Sequence, residues 1–184
     1  MTLTRTNWPD VDEVIALNAD TESMRDLGDH PPMTPARVLA EEMPRLMADN
    51  RRPDRLGSWV ARDRETGSFL GWFMIKPVDG PLRTVELTYR LRRRVWGRGY
   101  DLEGVLGMIQ LARAAQVSTV IATLPAIDIT SHRLMENAGM RIVRNLVGAK
   151  GEPTTAAIPR HIDYALDLTM DATPNQMMKA LATS

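Results

Sequence analysis

From Leu82 to Leu91 the chain alternates. Val85, Leu87, Tyr89 and Leu91 fall on one side, and Glu86, Thr88 and Arg90 on the other. A period of two predicts a strand with one apolar face. Two strand-like runs precede it. Arg55 to Asp63 carries Leu56, Trp59 and Val60, and Ser68 to Lys76 carries Phe69, Leu70, Trp72, Phe73, Met74 and Ile75. Glu65-Thr66-Gly67 and Pro77-Val78-Asp79-Gly80-Pro81 are turn signals between them. Three strands joined by tight turns predict an antiparallel meander.

Helical spacing dominates elsewhere. Trp8-Pro9-Asp10 opens a helix to about Ala19, with Val11, Val14, Ile15 and Leu17 on its apolar face. Thr34-Pro35 caps a second, with Val38, Leu39, Met43, Leu46 and Met47, and Pro44 is expected to kink or split it. The clearest helix runs from Tyr100 to about Ala115, burying Leu102, Val105, Leu106, Ile109 and Leu111 or Ala112. Gly104 and Gly107 each cost about 1 kcal/mol against Ala there, which points to close approach of a neighbour such as the sheet. Asp128 to Ala138 is a further helix, ended by Gly139.

Thr2–Thr6, Ser118–Leu124, Met140–Val147 and Arg160–Leu168 complete the strands, and Pro174–Leu181 reads as a short terminal helix. The strand–helix–strand unit in the middle implies a parallel pair with a right-handed crossover. The expected fold is therefore α/β, a mixed sheet that is mostly antiparallel with helices on both faces. No linker interrupts residues 1–184, so one domain is expected.

Charge and composition narrow the function classes. Lys plus Arg equals Asp plus Glu at 23 each, which argues against a general nucleic-acid binder. With no cysteine, disulfides, thiolate metal sites and a Cys nucleophile are excluded. No apolar run approaches the roughly 18 residues of a membrane span. No signal-type apolar segment opens the sequence, and a cytoplasmic protein is expected. Three scattered histidines give no metal-ligand spacing. Twelve Met against two Phe suggests that Met fills core gaps.

The stretch Arg92-Arg93-Arg94-Val95-Trp96-Gly97-Arg98-Gly99-Tyr100 stands between the alternating strand and the clearest helix. It is neither a P-loop nor a Rossmann fingerprint: no Gly-Lys-Ser/Thr follows, and Leu102 occupies the third-glycine position. Glycines at a helix start let backbone N–H groups approach an anion, and the arginines add charge. A helix-start turn with a solvated basic rim fits the same residues.

Arg94-x-x-Gly97-x-Gly99 resembles the Gln/Arg-x-x-Gly-x-Gly/Ala motif of the GNAT N-acetyltransferases. Tyr89-Arg90-Leu91 with Trp96-Gly97-Arg98-Gly99-Tyr100-Asp101-Leu102-Glu103 is similar to the branch containing the ribosomal-protein N-terminal acetyltransferases. So is Asp128-Ile129-Thr130-Ser131 with Leu134 to Met140. The resemblance implies a GNAT-like fold in which Leu82–Leu91 and Ser118–Leu124 splay apart around the pantetheine arm of acetyl-CoA. Leu91, Arg94, Val95, Trp96, Gly97, Arg98, Gly99, Tyr100, Asp128 and Ser131 are the implied cofactor-binding residues, with a backbone N–H of the first strand polarising the thioester carbonyl. The implied activity is acetyl transfer to a primary amine on a protein N-terminus, a lysine or a small molecule. A non-catalytic CoA-binding or regulatory module is the alternative, and a homodimer is open.

Direct transfer needs a group to deprotonate or hold the amine and a donor for the leaving thiolate. Glu86 is the candidate for the first role; a cross-strand ion pair is its other reading. Ser131 is the candidate for the second; a first-turn helix serine is its other reading. Many family members place an acidic Tyr where this chain has Met135, and an Asn where it has Asp128. His132 and His161 are weaker candidates, and Tyr164 is expected in the core or lining the acceptor pocket. Asp29, His30 and Met33 are specificity candidates. Trp8, Trp59, Trp72 and Trp96 are read as core or sheet-face residues.

Overall fold

Strand β3, Phe69–Pro77, is apolar on both sides, and the molecule is layered around it. The computed structural model describes residues 1–20, 32–78, 84–143 and 161–169. In chain order these form β1 (Thr2–Arg5), a 3-10 turn (Trp8–Asp10), α1 (Val11–Ala19) and a second helical run, α2 (35–47). There follow β2 (Gly57–Arg62), β3, β4 (Thr84–Leu91), a 3-10 turn (Arg93–Val95) and α3 (Tyr100–Ala114). Then come β5 (Thr119–Pro125), α4 (Ile129–Asn137), β6 (Arg141–Val143) and β7 (His161–Asp167). Asp29, His30 and the expected terminal helix Pro174–Leu181 lie outside the described residues, as do the outer ends of the expected strands at 82–83 and 144–147.

The seven strands form one sheet, ordered β1-β2-β3-β4-β5-β7-β6. Only β4 and β5 pair in parallel, as the crossover through α3 requires; every other pair is antiparallel. β7 inserts between β5 and β6, which chain order alone does not predict. β3 carries one extra residue where Ala61 pairs with Gly71 and Arg62 with Phe69. That bulge switches the facing of its side chains. Leu70, Phe73 and Ile75 pack with Val105, Met108 and Ile109 of α3 and Met135 of α4. Phe69, Trp72 and Met74 pack with Val14 and Leu17 of α1 and Met43 and Leu46 of α2. Helices thus cover both faces. Met43, Met74, Met108, Met135 and Met140 are buried, as the scarcity of Phe suggests.

Gly104 explains how α3 lies so close to the sheet. A Cβ there would come within 2.0 Å of the Phe73 ring. Gly107 has no such role: its Cβ would make an ordinary 3.5 Å contact with Leu3. The buried face of α3 is Gly104, Val105, Met108, Ile109 and Ala112, so Leu102, Leu106 and Leu111 are half-buried flanks rather than its centre.

Pro44 neither breaks nor simply kinks α2. The run passes from Pro35–Arg37 through a π segment, Val38–Glu42, into Met43–Met47. The Met43 N–H reaches back to the Val38 carbonyl. Widening the helix just before Pro44 relieves the clash its ring would make with the preceding turn. Trp72 is buried and Trp59 partly so, but Trp8 and Trp96 are exposed at 51% and 40%. Among the described residues no helix is long and apolar enough to cross a membrane.

Candidate active site

The parallel ladder is short. Thr84 pairs with Thr119, Val85 with Val120 and Glu86 with Ile121, and there the pairing stops. Beyond that point β5 continues against β7 while β4 continues against β3. The two strands diverge, and a cleft of about 760 Å³ opens between them.

The main chain of β4 has a defined facing along this gap. The Arg92 N–H donates to the Leu70 carbonyl at 2.8 Å, and the Thr84 carbonyl accepts from the Val78 N–H at 3.1 Å. Even-numbered residues therefore turn their backbone groups toward β3, and odd-numbered ones toward β5. The Leu87 N–H closes the last rung of the parallel ladder against Ile121, and past it the odd position Tyr89 turns its N–H group toward the cleft. The Leu91 carbonyl, on the same side, accepts from the indole N–H of Trp96 at 3.0 Å.

At the C-terminal end of β4 the chain makes its glycine turn. Gly97 and Gly99 have φ of +69° and +80°, the left-handed region that glycine enters without strain. A Cβ at either would meet nothing within 4 Å, so the outer surface of the turn is open. Among the described residues the N–H groups of Gly97, Arg98 and Gly99 have no acceptor. They sit at the N-terminus of the 15-residue helix α3. Unfilled donors plus the helix dipole suit an anionic group. Arg94 and Arg98 are exposed beside them, and Val95 is buried as the hydrophobic anchor of the turn. The Tyr100 hydroxyl donates to Asp63 at 2.6 Å and ties the turn to the β2–β3 hairpin. That bond, with those from Thr66 and Glu65, holds the Asp63 carboxyl well below its ordinary value.

On the far wall, α4 begins at Asp128. Its Oδ1 accepts from the Ser131 N–H at 3.0 Å, a helix N-cap. A cap needs only an acceptor, so Asp serves here as well as Asn. At the other end Gly139, at φ +84°, closes α4, and the Met140 N–H returns to the Met135 carbonyl. Met135 is fully buried and lines the cleft with apolar surface.

Ser131 has a partner that sequence reasoning missed. Its Oγ lies 3.1 Å from the hydroxyl of Tyr89. Burial is the main cause that pushes the Tyr89 phenol up to about 12. Asp128 and Asp101 add to the rise, and the Ser131 bond works against it. Tyr89 shares the apolar side of β4 with Val85 and Leu87, so the alternation reads it as core, and only its polar tip marks it out.

Glu86, Thr88 and Arg90 project from the opposite side of β4 and also line the cleft. Glu86 stands at the last paired position, where its carboxylate meets Lys76 of β3 at 3.4 Å. The cross-strand pairing weighed from the sequence thus exists, while Glu86 still borders the cleft. The same cleft is also lined by Trp72, Arg45 and Arg90, none of which the sequence reading had placed in the site. Tyr164 is buried, with its ring tilted against His132 at 5.6 Å between centroids, so it belongs to the core. His161 is exposed at the cleft rim. Among the described residues no group of three or more His, Asp or Glu is placed to hold a metal.

Residues 1–141 match the model of the acetyltransferase (GNAT) domain. The chain belongs to the GNAT acetyltransferase family. A Bacillus subtilis protein, YkkB, is 31% identical over 90 residues, covering 48% of this chain and 52% of that one. An FsC-acetyl coenzyme A-N(2)-transacetylase of Aspergillus fumigatus is 26% identical over 118 residues, covering 60% of this chain and 49% of its own. The chain thus spans about half the length of these curated relatives. A ribosomal-protein-alanine N-acetyltransferase from Brucella melitensis shares the fold, with a TM-score of 0.66 at 19% identity over 91% of this chain and 100% of that one. The GNAT fold accounts for the divergent β4 and β5, the glycine turn at the start of α3, and the cleft between them.

Proposed function

We propose that this domain transfers the acetyl group of acetyl-CoA directly to a primary amine. The observation that carries the reading is the end of β4–β5 pairing at Glu86, with a glycine turn of unfilled N–H groups at one end of the resulting cleft. Acetyl-CoA supplies an acyl group already activated as a thioester. The N–H groups of Gly97, Arg98 and Gly99, at the start of α3, are suited to its pyrophosphate, with Arg94 and Arg98 adding charge. Leu91, Val95, Trp96 and Tyr100 shape the turn, and Asp128 and Ser131 shape the far wall. The cleft-facing N–H group of Tyr89 is a donor of the kind that stabilises a developing oxyanion. Ser131, backed by the Tyr89 hydroxyl, is placed to deliver a proton to the leaving sulfur. Glu86 holds or deprotonates the amine.

Both hydroxyls compensate for the apolar Met135. Without them, Met135 would favour the second reading, a CoA-binding module that does not turn over. The sequence resemblance to the ribosomal-protein branch makes a protein α-amine one acceptor to include. Transfer from labelled acetyl-CoA to a panel of peptides, amino acids and small amines is the test. Turnover on any amine supports the reading; tight CoA binding with no turnover on any acceptor overturns it in favour of the binding module.

A further inference from the structure

Among the described residues, one arginine lining the cleft has no carboxylate partner. Arg90 extends from β4 toward α1 and α2. It donates to the Asn18 side-chain oxygen and lies over the Trp72 ring, its guanidinium carbon 5.8 Å from the centroid. Arg45 of α2 lies over the same ring at 5.2 Å. Among the described residues Glu42 is the acid that acts on Arg90, but both of its carboxylate oxygens are taken by Arg45, each at 2.9 Å. Among the described residues Arg90 meets no carboxylate within ion-pair distance. Burial, more than any neighbour, pulls its guanidinium below the ordinary value, and Arg45 adds to that while Glu42 opposes it. A guanidinium stays charged even so.

Withdrawing a charge from water without a counter-ion is costly, and proteins offset it with pairing. Asn18 uses only one of the five N–H donors, and Arg90 lines the cleft. Two further polar atoms in this wall lack partners among the described residues: the indole N–H of Trp72, which is 3% exposed, and the hydroxyl of Thr88. Both belong to residues that line the cleft. Trp72 and Arg90 are directly paired across β3 and β4, and Thr88 is the next residue on the same side of β4. Glu86 lies one step further on that side, at the point where the strands part. The wall therefore has an acid at one end and, among the described residues, an uncompensated fork of donors at the other.

We propose that the acceptor is a small amine that also bears a carboxylate, with the carboxylate seated on Arg90 and the amine directed toward Glu86. This deepens the transferase reading and rests on it. Planar guanidinium matches carboxylate geometry with paired N–H donors, and the Trp72 indole packs against Arg90. Arg45, over the same ring, adds positive potential while remaining paired to Glu42. A polycationic amine would bring its second charge against Arg90 and be disfavoured.

The test compares matched acceptors that differ only in the anion: a set of amino acids and ω-amino carboxylates, their carboxamides, and the amines lacking the group. Rates are measured with wild type, Arg90→Gln and Arg90→Lys, and binding is measured separately by calorimetry with desulfo-CoA present. A charge-assisted pair is worth about 10- to 100-fold in affinity. Wild type is expected to favour carboxylates over carboxamides by about that factor in kcat/KM, mainly through KM. Arg90→Gln should abolish the preference while the KM for acetyl-CoA stays put, and Arg90→Lys should restore part of it. Equal use of carboxylates and carboxamides, or a preference that survives Arg90→Gln, overturns the proposal and leaves the transferase reading intact. Arg90-dependent binding of carboxylates without transfer to any amine supports the site and overturns the transferase reading instead. Should Arg90→Gln not fold, wild-type discrimination and competitive inhibition by simple dicarboxylates decide: no inhibition and no discrimination overturn the proposal.

Discussion

Tyr89 and Ser131 reach each other across the cleft, hydroxyl to hydroxyl at 3.1 Å, from elements 42 residues apart in the chain. One stands on the apolar side of β4, the other in the first turn of α4. Neither is placed by its own local sequence. The contact exists because β4 and β5 part after Glu86 and α4 closes the gap from the far side.

Removing either hydroxyl should slow acetyl transfer without weakening the hold on acetyl-CoA. General acid catalysis contributes about 10²–10⁴-fold, so Ser131→Ala is expected to lower kcat by about 10²-fold. Tyr89→Phe should lower it less if it acts through Ser131. The double variant should then be no slower than Ser131→Ala alone. Single-turnover rates, with CoA affinity measured by calorimetry, check this; additive losses would show two independent roles.

The raised Tyr89 phenol has a second consequence. An unfolded tyrosine titrates near 10, and in the fold Tyr89 is pushed up to about 12. Between these values the folded state keeps a proton that the unfolded state loses. Its contribution is complete below about pH 10 and is lost as pH rises toward about 12, by on the order of 1–3 kcal/mol. Urea midpoints should fall across that window. Tyr89→Phe should show a shallower fall, and an unchanged slope would mean that other groups control alkaline unfolding.

The glycine turn yields a prediction with its own control. Gly97 needs φ of +69° but has open space where a Cβ would go. Gly97→Ala should therefore cost about 1–2 kcal/mol of backbone strain and leave CoA binding largely intact. Gly97→Glu carries the same strain and adds a carboxylate where the pyrophosphate is expected, so CoA binding should be abolished. Calorimetry on both variants separates strain from charge. Full affinity in Gly97→Glu would move the pyrophosphate elsewhere.

Gly104 tests the fold beneath the site. Any side chain there meets the Phe73 ring, which itself stacks on Tyr89 at 5.6 Å. Gly104→Ala should destabilise by about 1–3 kcal/mol despite the better helix propensity of Ala. Phe73→Leu in the same chain should recover part of the loss. Chemical denaturation reads the effect, and a stabilising Gly104→Ala would contradict the close packing.

Much of this molecule was legible before its structure. The alternation of β4, the glycine turn and the two later helices follow from local periodicity, and the parallel pair follows from the crossover. Other features depend on contacts distant in the chain. β7 lies between β5 and β6 because it pairs along all of β5, which no local pattern signals. Gly104 and Gly107 look alike in sequence, yet only one faces Phe73. Trp72 reads as core, and it is buried, but the two guanidinium groups over it make it part of the cleft wall. Pro44 announces a disturbance, while its form, a π segment, depends on how α2 must stay packed on β3.

Glu86 carries the sharpest remaining test because its two roles make different demands. The ion pair with Lys76 is half-exposed, and such pairs contribute about 0–1 kcal/mol, so Glu86→Gln should fold normally. Its affinity for acetyl-CoA should also be unchanged. If Glu86 deprotonates the amine, kcat/KM falls by about 10²-fold or more and its dependence on pH changes shape. If Glu86 only anchors the amine, the loss appears in the acceptor KM and the pH profile keeps its shape. Lys76→Met separates both from the cross-strand pair, since it removes the partner and leaves the acid. A Lys76→Met enzyme as impaired as Glu86→Gln would show that the pair shapes the cleft and that the carboxylate itself plays no direct part.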